Sequence, residues 1–303
     1  MKVMLSIQAR VVRRFLKINW SERPLELHDI PKYRADFERN LRILFPTLSS
    51  KHVERRQVAG VYIEEVRPTP NLKHTILYVH GGAFALGSSR SYRQHLVRIA
   101  RMCNAKVLSV DYALAPENPF PIAPNQVIEV WQALCAKPGF EPSKVVWMGD
   151  SAGAQIILSA ALRLRNEGLS LPGCLVLLSP GLDATFTGES YEENRYKDLV
   201  LSLPAIDFYM RSYVQNNDKI DPLISPVFAD LRRLPPMLIQ VGSDELQFSS
   251  SQKLFENAKR DGVEAAFFIG DKMWHNWHLF AGIVPEAKDA IKGVGTFIDE
   301  CIT

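Results

Sequence analysis

Two periods of apolar residues run along the chain. From the start to about residue 45 they recur at helical spacing. Val3, Leu5, Val11, Val12, Phe15 and Leu16 predict one apolar stripe, and Tyr33, Phe37, Leu41 and Leu44 predict a second helix over residues 31–44. Pro24, Pro31 and Pro46 punctuate this segment. From about residue 58 the period shortens. Val58 to Val66 alternates as a strand does, and Pro68 and Pro70 end it. Short, β-rich apolar runs follow at residues 75–79, 106–110, 144–148, 174–178, 237–241 and 265–269. Helical patterns separate many of them, at about 91–103, 124–136 and 154–165, and a last helix is expected at 286–302. Strands alternating with helices imply right-handed crossovers and a mainly parallel sheet with helices on both faces. Residues 185–215 interrupt the alternation, first charged and then amphipathic, and are expected to form an insertion carried at the strand ends.

One junction carries the sharpest chemical signal. The apolar run Lys144–Met148 leads into Gly149-Asp150-Ser151-Ala152-Gly153, and a helical pattern starts at once behind it. A serine between two glycines at a strand-to-helix turn has the setting of a nucleophile elbow. Glycines permit the close backbone approach, and the helix N-terminus offers free N–H groups to a developing negative charge.

A serine hydroxyl is a weak nucleophile and needs a base, an acid that orients the base, and N–H donors for the oxyanion. The donors are expected from His80-Gly81-Gly82-Ala83, which follows an early strand, and from the N–H of Ala152. A phosphate loop is the competing reading of residues 81–88, but the lysine and the glycine spacing of such loops are missing. The base should follow a late strand. His275 is preferred and His278 is second; His28, His52, His74 and His95 read as surface residues, and His80 as structural. The acid should lie between serine and histidine in the chain. Asp244, in the turn after the strand at 237–241, is preferred, and Asp183 is the runner-up. Glu245 is adjacent to Asp244 but is expected to point the other way, and Asp271 reads as a loop cap.

Composition narrows the partners. The 303 residues are 47% hydrophobic and 23% charged, enough for a large core and unlike a disordered chain. The net charge of +3 is too small to imply a nucleic-acid or anionic-membrane partner. Basic residues do crowd near the start, at Arg10, Arg13, Arg14 and Lys17; the simpler meaning is the polar face of an amphipathic helix, the other a helix lying on a membrane surface. Cys103, Cys135, Cys174 and Cys301 are far apart and form no paired motif, which suits reduced residues in a cytoplasmic protein and argues against a zinc site. No signal peptide or membrane-spanning run is apparent.

Several blocks together resemble the hormone-sensitive-lipase-like branch of the α/β-hydrolase esterases. They are His80-Gly81-Gly82, Tyr112 to Glu117 with Pro119 and Pro121, Gly149 to Gly153, Leu178-Ser179-Pro180, Asp221-Pro222 with Ser225-Pro226, Gly242-Ser243-Asp244, and His275-Asn276-Trp277. The resemblance spans residues 75–280 and implies an α/β-hydrolase fold, with a catalytic domain over 46–303. It also implies a helical cap, made from the helices of residues 1–45 and the insertion at 185–215. It implies a triad of Ser151, Asp244 and His275 and an oxyanion hole from the glycine motif (Gly81, Gly82, Ala83) and Ala152. No metal or cofactor is implied. The implied substrates are short- to medium-chain acyl esters, and a homodimer is left open. Amide or carbamate hydrolysis on the same triad, and ligand binding without turnover, are the competing functions. The chain departs from the family pattern at Ala83, where a third glycine is usual, at Ala113, where arginine is common, and at Phe248, where a second acid often stands.

Overall fold

In the computed structural model, which describes residues 4–19, 25–45 and 52–302, the alternating segment closes into one eight-stranded sheet. The elements follow in the order α1 (Ile7–Asn19), α2 (Ile30–Leu44), β1 (Val53–Val58), β2 (Val61–Val66), β3 (His74–Val79), α3 (Ser89–Met102), β4 (Ala105–Asp111), α4 (Ile122–Cys135), β5 (Val145–Asp150) and α5 (Ala152–Asn166). Then come β6 (Cys174–Leu178), α6 (Ser190–Glu193), α7 (Leu203–Val214), β7 (Met237–Gly242), α8 (Phe248–Arg260), β8 (Ala265–Gly270) and α9 (Pro285–Cys301). The strand order is β1-β2-β4-β3-β5-β6-β7-β8. The first two pairings, β1 with β2 and β2 with β4, are antiparallel; the rest of the sheet is parallel.

The strand expected over 58–66 is the second arm of a hairpin. Its first arm, Val-Glu-Arg-Arg-Gln-Val, is too charged to read as a strand, and its turn is Ala59-Gly60, both with positive φ of 50° and 78°. That is the backbone a two-residue hairpin requires, but alanine is not a residue that announces it. The helix α8 likewise has no counterpart among the expected elements. The remaining expected elements are present with ends shifted by a few residues. Val3, Pro24 and Pro46 lie outside the described residues.

Alternation along the strands feeds two cores. Leu77 and Val79 of β3 join Trp147 of β5 and the inner faces of α4 and α5. Ile76 and Tyr78 join Met148 and the inner faces of α3 and α9. Each fully buried aliphatic side chain there is worth roughly 1.5–3 kcal/mol. The sheet is thus held from both sides, and its strand ends are fixed platforms for the loops that follow them. Among the described residues, no helix is long and apolar enough to cross a membrane.

The first helix departs from the expected single stripe. Leu5, Val12 and Leu16 pack inward, and Ala9 is fully buried, whereas Val11 and Phe15 turn outward. The inner face is anchored to the start of α9, where both the N–H and the hydroxyl of Ser6 donate to Glu286.

The crossing of α5 over β3 is as tight as backbone allows. A Cβ on Gly153 would lie 2.0 Å from the Val79 carbonyl oxygen and 2.6 Å from that of His80. Helix propensity favours alanine over glycine by about 1 kcal/mol. The collision outweighs it, so we expect Gly153→Ala to lose about 2 kcal/mol or more in urea unfolding. An unchanged midpoint would show that α5 can lift from β3 freely.

Candidate active site

Ser151 sits between β5 and α5 with φ 52° and ψ −119°, a region that costs a non-glycine residue about 1–3 kcal/mol. Its surroundings enforce that backbone. The Ser151 N–H donates to the Leu178 carbonyl at 2.9 Å, and its own carbonyl accepts from Gly181 N–H at 3.2 Å. Gly149 must lack a side chain because a Cβ there would come within 2.6 Å of Gly153. The hydroxyl is thereby lifted off the sheet edge toward the loop behind β8.

That loop delivers His275. Its Nε2 lies 2.9 Å from Ser151 Oγ and its Nδ1 2.9 Å from Glu245 Oε2. The carboxylate on the histidine is therefore Glu245 and not Asp244, which corrects the sequence expectation. The turn after β7 is closed by Glu245 N–H to the Gly242 carbonyl, and it sends the two neighbouring acids in different directions. Glu245 is buried and folds back, its Oε1 accepting from Gly242 N–H at 2.6 Å and from the Ser179 hydroxyl at 2.7 Å. Asp244 points outward to Arg13 of α1, at 2.9 Å. The runner-up Asp183 is spent on its own loop, accepting from the backbone and hydroxyls of Thr185 and Thr187. Chain order and strand-end position describe Asp244 and Glu245 equally well, so no sequence signal separates them.

Burial pushes the Glu245 carboxyl well up and the His275 imidazole down, since each loses solvation of its charged form. The Gly242 N–H and Ser179 hydroxyl oppose the first shift, and the carboxylates of Asp198 and Asp150 oppose the second. His278 is not a base for this serine. It hydrogen bonds to Gln240 Oε1 at 3.0 Å beneath the site and packs on Trp277. His74 and His95, expected at the surface, are buried, while His28 and His52 are exposed.

The oxyanion donors also need one correction. The Gly81 N–H donates to Asp150 Oδ1 at 2.9 Å and is not available. Gly82 and Ala83 line the cavity beside Ser151, and Ala152 is the first residue of α5, where an N–H has no partner within its helix. The chain turns at this point through positive φ at Gly82 (119°), Ala83 (51°) and Phe84 (64°). Alanine thus adopts the left-handed backbone where the family's third glycine is usual.

The sequence does not single out Asp150, which the fold places at the centre of the site. Its buried carboxylate accepts from Tyr78 (2.7 Å), Gly81 N–H (2.9 Å), Tyr92 (3.1 Å) and Asn276 Nδ2 (2.7 Å). It therefore binds the donor loop to the base loop. Asp198, at the insertion, plays a similar part. It accepts from the N–H groups of Val200, Leu201 and Leu246, so it ties the cavity wall to the residue after Glu245. Burial pushes its carboxyl up to about 6.

Two cavities meet at Ser151. The larger, about 320 Å³, includes His275 and is walled by Leu16, Phe37 and Leu41 from the N-terminal helices and by Leu201, Ile206 and Tyr209 from the insertion. The smaller, about 30 Å³, runs past Ala83 and Ala152 to Phe186, Tyr191 and Met210. Among the described residues no group of three or more His, Cys, Asp or Glu side chains is placed to hold a metal ion.

A family model described as alpha/beta hydrolase fold matches residues 76–279. A solved esterase from the bacterial hormone-sensitive lipase family superposes with a TM-score of 0.90 at 33% identity, over 99% of this chain and 100% of that one. The chain belongs to the hormone-sensitive-lipase-like branch of the α/β hydrolases. Two named relatives agree in extent. An esterase of Acinetobacter venetianus is 36% identical over 255 residues, 84% of each chain. An acetyl-hydrolase of Streptomyces hygroscopicus is 32% identical over 295 residues, 97% of each chain. In this hydrolase the resting histidine should be neutral at pH 7. We expect the His275 imidazole, followed by nitrogen NMR, to titrate below the ordinary 6.5, with the base-competent form gained as pH rises through that midpoint. A midpoint above 6.5 would mean that the carboxylates around it outweigh its burial.

Proposed function

We infer that the protein is a serine carboxylic ester hydrolase with Ser151 as nucleophile, His275 as base and Glu245 as the acid that orients it. The chain of two 2.9 Å contacts from Ser151 through His275 to Glu245 carries this reading. His275 Nε2 takes the hydroxyl proton as Oγ attacks the ester carbonyl. Glu245, held by the Gly242 N–H and the Ser179 hydroxyl, keeps the other ring proton on Nδ1 and stabilises the imidazolium that forms. Ala152 N–H, with Gly82 or Ala83, receives the oxyanion; a donor of this kind contributes about 10²–10³ in rate. The proton then passes from Nε2 to the leaving alcohol, and water releases the acid from the acyl-enzyme. The helices before β1 and the insertion between β6 and β7 serve as the cap that keeps bulk water off this step.

The proton path also assigns the two cavities. The leaving oxygen must sit beside His275 Nε2, so the alcohol occupies the wide apolar cavity and the acyl group the narrow cleft. At roughly 10–15 Å³ for each water-sized group, the cleft takes two or three heavy atoms beyond the carbonyl. Esters of short acids with bulky apolar alcohols fit best, and the name of the Streptomyces relative accords with this.

Two measurements test the reading. Against p-nitrophenyl acetate, Ser151→Ala and Glu245→Gln should each lower kcat by about three orders of magnitude or more, while Asp244→Asn stays within about threefold. Loss of activity in Asp244→Asn with Glu245→Gln intact would return the acid to Asp244. Across acyl lengths, kcat/KM should fall at least about tenfold from butyryl to octanoyl, and Met210→Ala should narrow that gap by opening the cleft wall. A profile flat to octanoyl would place the acyl chain in the wide cavity.

A further inference from the structure

The outward face of α1 has no role in the site. Ile7, Val11 and Ile18 are 69%, 63% and 74% exposed and fall within about 40° of one another around the helix. Met4, just before the helix, is equally open, and Phe15 lies at the edge of the same stripe. Arg14, Arg10 and Lys17, all exposed, occupy the next about 60° on one side. The helix sequence contains no acidic residue. Its fourth base, Arg13, is turned inward to Asp244 and to the Lys272 carbonyl. So α1 has a second apolar stripe, separate from the one that packs on the protein, with a basic shoulder beside it. A modest total charge conceals this concentration.

We propose that α1 docks the enzyme onto an anionic lipid bilayer, lying flat with Ile7, Val11 and Ile18 in the acyl boundary and Arg10, Arg14 and Lys17 among the headgroups. The charge pattern selects this occupant. Exposed apolar residues alone would suit any hydrophobic partner, but a contiguous basic shoulder on the same helix matches a surface both apolar within and negative outside. The placement also fits. Leu16, on the opposite face of α1, walls the wide cavity beside Ser151, so docking sets that cavity directly behind the helix that meets the lipid.

The test is co-flotation of the full chain with vesicles of phosphatidylcholine alone and of phosphatidylcholine with phosphatidylglycerol. The comparison is with a triple variant, Arg10→Gln with Arg14→Gln and Lys17→Gln, and a second, Ile7→Ser with Val11→Ser and Ile18→Ser. None of these residues lines the catalytic cavity, so both variants should keep wild-type turnover of p-nitrophenyl acetate, which also reports folding. We expect the wild type to float with the anionic vesicles and far less with neutral ones. Each lost charge should weaken binding about fivefold, so the basic variant should fall on the order of a hundredfold, and the apolar variant should lose binding too. Absence of wild-type flotation on anionic vesicles, or flotation of either variant equal to that of the wild type, overturns the proposal. A wild-type dimer that the apolar variant converts to monomer, with no vesicle binding, would assign the stripe to a second copy of this chain instead. Because binding is read without turnover, the outcome does not depend on the esterase reading.

Discussion

The buried carboxylate of Asp150 holds the site together. A charge removed from water is tolerated only when hydrogen bonds replace its hydration. Four donors do so here, and each comes from a different part of the chain: Tyr78 from β3, Gly81 from the donor loop, Tyr92 from α3 and Asn276 from the base loop. None of these groups can move without leaving the carboxylate short of a partner. The residue lies directly before Ser151, so Ser151, the loop at Gly81 and the loop bearing His275 share one point of reference. It also accounts for the glycine at 81, where a Cβ would lie 2.3 Å from Asp150 Oδ2.

Strain is stored beside that point and held by packing. Ser151 keeps a left-handed backbone because β5, α5 and β3 approach too closely for any other path. The rigidity that fixes the hydroxyl toward His275 is thus a property of two glycines and of the cores on either side of the sheet, and not of the serine itself.

The N-terminal segment couples surface to site. Arg34 of α2 donates to the Ala85 and Ala115 carbonyls and pairs with Glu117, which locks the helix over the donor loop and the proline-rich loop. An arginine from outside the sheet thus anchors the loop on which Ala113 stands in place of the family's usual arginine. Arg13 of α1 engages Asp244, next to Glu245, and the Lys272 carbonyl in the loop before His275. Such partly exposed ion pairs contribute little stability on their own. Their effect here is to define where the wall of the cavity lies.

The sequence by itself determined the sheet and the strand-to-helix turn at Ser151, and it singled out His275, which the fold brings to that serine. Periodicity is local, so strands such as Thr75 to Val79 and helices such as α5 were legible from their own residues, and Gly149 to Gly153 carried its meaning in its spacing and flanks. What failed in that reading depended on contacts distant in the chain. The hairpin arm at Val53–Val58 is charged and becomes a strand only by pairing with β2. His74 and His95 have polar neighbours in sequence but are covered by folded elements. Val11 and Leu16 share a helical stripe on paper, yet only one of them meets the protein. The choice between Asp244 and Glu245 is the clearest case. Both have the right chemistry, order and position, and only the path of the turn after β7, together with Arg13 arriving from 231 residues away, decides which carboxylate faces the histidine.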